Sequence, residues 1–157
     1  EKLGNKKSII NKGLWSKKDT KKLYILGGRL GSSSMYEPDK QKFDLHNIKE
    51  QNYKNYDVTN TIKIECDSLN NLLTELDIKN LDYLKIDTQG AELEILSGIG
   101  NYRPLLIKVE AHIFSMYKDV PSWNSLLDYL YKPVYPVQVL LKKIPYVHLH
   151  HQDIDMP

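Results

Sequence analysis

The chain has 157 residues, 41% of them hydrophobic and 27% charged, enough to bury one core and favouring a single domain over residues 1–157. Lysine and arginine total 22 against 20 acidic residues, and the resulting net charge of +2 gives no electrostatic reason to expect a nucleic-acid partner. A single cysteine, Cys66, excludes an internal disulfide framework and fits a reducing compartment.

No apolar run approaches the roughly 20 residues of a membrane span, and "EKLGNKKSII" has no apolar stretch of the signal-peptide kind. The expectation is a cytoplasmic domain. The opening without a methionine predicts that the protein continues upstream.

The first apolar pair, Ile9–Ile10, reads as a short strand ending near Asn11. "KKLYILGG" reads as a second strand, followed by a Gly/Ser loop, "GGRLGSSSMYE". Residues 43 to 56 are rich in Lys and Asn and read as an exposed excursion. "YDVTNTIKIECDSL" carries Val58, Ile62 and Ile64 among β-branched neighbours, a third strand. A helix then starts with Asp67 or Ser68 as cap and with Leu69, Leu72, Leu73 and Leu76 on one face. "LDYLKID" is the next strand, and "GAELEILSG" is a helix stopped by Gly98 in a C′ position. "PLLIKVEAHIF" is an apolar strand, and "PSWNSLLDYLYK" is a helix capped by Ser122 with Trp123, Leu126, Leu127 and Leu130 at helical spacing. "VYPVQVLLKK" and "PYVHLHH" read as a closing pair of strands. From Asn80 onward strands alternate with helices over short connections, the pattern of an α/β sheet with parallel strands.

The segment "YLKIDTQGAELEILSGIG" stands out because an apolar strand ends on charge. In open α/β sheets ligands sit beyond the carboxyl ends of the strands. Lys85 and Asp87 share one face of their strand, and Glu110 and His112 share one face of the next. If those strands are neighbours, four groups able to bind a polar ligand and move a proton converge. Glu92 and Glu94 read first as compensation of the helix dipole. Taken alone, Asp87 reads first as a helix N-cap or a turn acid.

These residues also carry a resemblance. "LDYLKIDTQGAELEILSGIG" resembles the signature of the FkbM-type S-adenosylmethionine-dependent methyltransferases: a strand ending Lys-Ile-Asp, then Glu or Gln, Gly, an acid-bearing helix and a glycine stop. "LLIKVEAHIF" resembles the strand that follows it, "DSLNNLLTEL" the segment before it, and "NKGLWSKKDTKKLYI" with "GSSSM" a still earlier part. "QDIDMP" fits the last strand. The resemblance implies a Rossmann-like class I methyltransferase fold, mainly parallel with a reversed last strand, and methyl transfer from S-adenosylmethionine. The acceptor it implies is a hydroxyl of a small molecule, a saccharide or related metabolite. Carried onto this sequence, Asp87, Thr88 and Gln89 fall beside the cofactor's methionine portion. Asn11, Gly13 and Leu14 fall in the loop near the adenine, and Glu110 and His112 face the acceptor. The base is Asp87 or His112, oriented by Glu110, and Lys85 pairs with Asp87 or steadies developing negative charge. The family's glycine-rich loop and the acid after its second strand have no counterpart here, so the chain reads as the C-terminal part of the domain, without its N-terminal strands.

Two other readings remain open: a non-catalytic interaction module on the same fold, and a metal-dependent hydrolase using Asp87, Glu110 and the C-terminal histidines. His148 and His150 lie on one face of a predicted strand but lack a fixed third ligand, so a surface strand is expected there and no metal site is assigned. The loop glycines and serines of "GGRLGSSS" and the spread lysines read as a hairpin loop and a solvated face. Oligomeric state is not legible.

Overall fold

A computed structural model describes residues 9–131 and 138–144. Its first sheet has the order β1-β3-β2, with β1 at Gly13–Trp15, β2 at Asp19–Leu26 and β3 at Val58–Ser68. β1 runs parallel to β3, while β2 pairs with β3 antiparallel from Asp19↔Cys66 to Ile25↔Asn60 before a register shift at Leu26. Ile9 and Ile10 are not in a strand and stand exposed; the strand begins at Gly13 instead. A Cβ on Gly13 would lie 2.7 Å from Cys66 Sγ, so glycine lets β1 sit tightly on β3.

The second sheet has the order β4-β5-β6, with β4 at Tyr83–Ile86, β5 at Leu106–His112 and β6 at Gln138–Ile144, all parallel. Helices form the connections: α1 at Leu69–Glu75 leads towards β4, α2 at Glu92–Ser97 links β4 to β5, and α3 at Trp123–Leu130 precedes β6. This is the expected strand–helix alternation. The second half of the closing pair, the reversed last strand, "QDIDMP" and the C-terminal histidines lie outside the described residues.

Alternation within the strands sets the layers. Leu84, Ile86, Ile107, Val109 and Ala111 are buried, and they share one core with Ile95, Leu96 and Ile99 of the α2 region and Leu126 and Leu130 of α3. Each of these side chains other than Ala111 contributes about 1.5–3 kcal/mol of burial. Ser68 caps α1 by accepting from Asn71 N at 3.2 Å, and Ser122 caps α3 by accepting from Ser125 N at 3.1 Å. Leu69, Leu72 and Leu73 are buried as expected, whereas Leu76 is exposed because the helix has already ended there.

Two further expectations fail. The segment thought to be an exposed excursion forms two 3-10 helices, Lys40–His46 and Glu50–Tyr56. Phe43 and Tyr56 from it join Leu26, Met116 and Tyr117 in a second core. Gly98 is not a left-handed cap: its φ is −91°, and the left-handed glycine is Gly100 at +64°. A close approach to the β1–β2 turn explains Gly98 instead, since a Cβ there would be 2.6 Å from the Trp15 carbonyl oxygen.

Candidate functional site

The two strand ends lie side by side as the sequence predicts. Tyr83 pairs with Leu106 and Ile86 with Val109, so one further step sets Asp87 opposite Glu110. Lys85 and Asp87 project from the sheet face opposite the helices, and Lys108, Glu110 and His112 occupy the matching positions on β5. Lys85 Nζ is 3.0 Å from Asp87 Oδ2. That hydrogen bond, with the charges of Asp87 and Glu110 beside it, raises the Lys85 ammonium above its ordinary value.

Beyond Ile86 the backbone makes a tight turn through two positive φ angles, Gln89 at 58° and Gly90 at 117°. A single buried carboxylate holds it. Glu92 Oε1 accepts from Thr88 N, Thr88 Oγ1 and Gly90 N, each at 3.1 Å. Glu92 is therefore far more than a surface acid facing a helix dipole. A second clamp comes from the Gly/Ser segment: Ser34 Oγ donates to the Gln89 carbonyl at 2.7 Å and accepts from Tyr36 N at 3.0 Å. Tyr117 donates to the Ser32 carbonyl at 2.6 Å and lies 3.3 Å from Gln89 Oε1.

Between this turn and the two 3-10 helices lies a cleft of about 470 Å³. Gln89 and His112 supply the strand-end wall, and His46, Asn47, Asn52 and Asn55 supply the opposite one. Among the described residues, Arg29 is the charged group in its lining, which holds no carboxylate. The predicted cluster thus divides: Gln89 and His112 enter the cleft, while Lys85, Asp87 and Glu110 stay on the adjoining sheet face. Asn11, Gly13 and Leu14 lie away from this lining, with Asn11 exposed and Leu14 packed against the main core.

His46 has no antecedent in the sequence reading. Its ring lies 6.0 Å from that of His112 in an edge-to-face arrangement. Burial, with His112 nearby, holds the His46 imidazole below its ordinary 6.5. As pH falls through about 6.5 the unfolded chain takes up this proton before the folded one, so folding stability declines below that pH. Urea midpoints compared at about pH 7.5 and about pH 5.5 should drop for the parent protein and drop less for His46→Gln. Equal drops would show that another group carries the acid sensitivity.

A polar cleft at the carboxyl ends of parallel strands is the arrangement of an α/β ligand-binding domain. The chain belongs to the FkbM methyltransferase domain family, whose model matches residues 7–137. No curated protein and no solved structure gives a significant match. Among the described residues, no helix is long and apolar enough to cross a membrane.

Proposed function

We propose that this domain takes part in S-adenosylmethionine-dependent methyl transfer to a hydroxyl of a small polar molecule, a saccharide or related metabolite, on a Rossmann-like scaffold. The observation that carries the reading is the cleft of Gln89 and His112 at the ends of β4 and β5, in a chain of a methyltransferase family. Amide side chains and one guanidinium around a half-open space suit a ligand rich in hydroxyls.

The cofactor fits these residues at one end. Asp87 presents a carboxylate that is one-third exposed beside a tight turn, which suits the ammonium of a methionine chain. The N–H groups of Thr88 and Gly90 are already taken by Glu92, so they offer nothing to its carboxylate. Asp87 with Thr88 and Gln89 would hold that end, and Asn11, Gly13 and Leu14 are the proposed adenine contacts. The bound cofactor supplies an electrophilic methyl group. The chain's own residues align the acceptor, exclude water and receive the hydroxyl proton. Lys85 holds Asp87 in place through their 3.0 Å ion pair, and Glu110 orients the neighbouring groups.

Asp87→Ala in the full-length protein should abolish transfer of labelled methyl from S-adenosylmethionine to polyol acceptors while leaving the thermal midpoint within a few degrees, since the residue is outside the core. Full activity in that variant would refute the site.

A further inference from the structure

The cleft carries a cation with no counter-charge. Arg29 lines it, and among the described residues no carboxylate forms an ion pair with its guanidinium. Lysines on the bordering segments are placed otherwise: Lys40 sits on Asp57, Lys42 on Asp39 at 3.3 Å and Lys118 on Glu37 at 3.0 Å. Those are ordinary solvated pairs. Arg29 rests instead on an aromatic ring, its guanidinium carbon 5.5 Å from the centre of Tyr56. That contact steadies the guanidinium and leaves its N–H donors free.

The loop that bears Arg29 is fixed against this wall. Gly27 N donates to the Asp57 carbonyl and Gly28 N to the Asn55 carbonyl, each at 3.1 Å. A Cβ on Gly28 would lie 2.7 Å from Asn55 Cα, so glycine is what lets the loop close on the segment. The N–H groups of Ser32, Ser33 and Ser34 are spent on the carbonyls of Arg29, Leu30 and Tyr24. The loop therefore brings a side-chain charge to the cleft rather than a nest of backbone donors.

A second donor comes from the strand end. Gln89 holds a left-handed φ of 58°, with its backbone carbonyl tied to Ser34 Oγ at 2.7 Å. Its side-chain oxygen lies 3.3 Å from the Tyr117 hydroxyl, which is outside the lining, and this leaves the amide N–H groups as the end turned to the cleft. Among the described residues those N–H groups have no acceptor. Asn47, Asn52 and Asn55 add neutral amides. A fixed cation, anchored donors and no acid are complementary to an anionic oxygen group.

We infer that this cleft binds the carboxylate or phosphate of an acidic methyl acceptor, held by the Arg29 guanidinium and the Gln89 amide. Arg29 stands with Asn55 and Tyr56, across from the β4 end proposed for the cofactor's methionine portion, so the anion belongs to the acceptor. The inference rests on the methyl-transfer reading above and narrows its substrate from a neutral hydroxyl compound to an acidic one.

Isothermal titration calorimetry of the full-length protein with methyl glucoside, glucuronate and glucose 6-phosphate tests it. At least one acidic sugar should bind roughly 10-fold or more tightly than the neutral glucoside, and the tighter of the two names the anion. Arg29→Gln should remove that preference and Arg29→Lys restore part of it. Raising the salt from about 0.05 M to about 0.5 M should weaken the acidic sugars alone. Arg29 is exposed, so these variants should keep the parent's Tm. Equal affinities for the three sugars, an unchanged preference in Arg29→Gln, or no saturable binding of either acid overturns the inference. So does displacement of the bound acid by S-adenosylhomocysteine, which would give Arg29 to the cofactor's carboxylate. Acid-selective binding with no labelled methyl passed to either acid would support the site and defeat the methyl-transfer reading. Transfer to methyl glucoside as efficient as to the acids would overturn the inference and leave that reading standing.

Discussion

Replacing Glu92 with alanine should destabilise the protein by about 3 kcal/mol. The residue is 6% exposed, and one of its oxygens accepts three hydrogen bonds. Bonds to a charged group are worth about 1.5–3 kcal/mol each, and the change strands the N–H groups of Thr88 and Gly90. For a chain of this size that corresponds to a fall in Tm of roughly 6–12 °C. Glu92→Gln, which keeps an accepting oxygen but loses the charge, should fall between. Calorimetry of both variants checks the order. A midpoint for Glu92→Ala within about 2 °C of the parent would mean that the turn is held by Ser34 and Tyr117 alone.

Gly98→Ala should cost about 2 kcal/mol, against the usual gain of up to ~1 kcal/mol when alanine replaces glycine near a helix. The added methyl would sit 2.6 Å from Trp15 O, 3.0 Å from Ser16 O and 3.1 Å from Ser16 Cα. All three are backbone atoms, so no rotamer change relieves the clash. The same glycine's carbonyl accepts from Asn70 N at 2.9 Å, so displacement of α2 would also loosen the start of α1. Gly31→Ala is the control: no atom lies within 4 Å of the new methyl. Chemical denaturation should show a clear loss for Gly98→Ala and almost none for Gly31→Ala; equal midpoints would sink the close-packing account.

Between Tyr83 and Leu130 the sequence was easily read, because local signals and tertiary packing agree there. Apolar residues alternate in β4 and β5, a serine stands at the start of α3, and leucines recur there at helical spacing. The Lys40–Tyr56 region was not legible. A 3-10 helix has no 3.6-residue periodicity to detect, and its core contribution comes from Phe43 and Tyr56, isolated among Lys and Asn. Gly98 misled because a stop glycine and a close-contact glycine look alike in sequence. Lys85 with Asp87, and Glu110 with His112, were legible as face-sharing pairs from their spacing of two. His46 was not, since its partner lies far along the chain and only the packing of the second core brings the rings together. Glu92 carried a usable signal: an acid just past a glycine turn, two and four residues from N–H groups that need an acceptor.

Ser34 has one further consequence. Its single hydroxyl is bonded to Gln89 on one side and to Tyr36 on the other, while the strand pairing of Tyr24 with Ser34 fastens it to the hairpin. The Gln89 turn and the hairpin are thus tied through one oxygen atom. A displacement of the hairpin would be transmitted to the turn that sets Gln89 in the cleft wall, so the two would move together rather than independently.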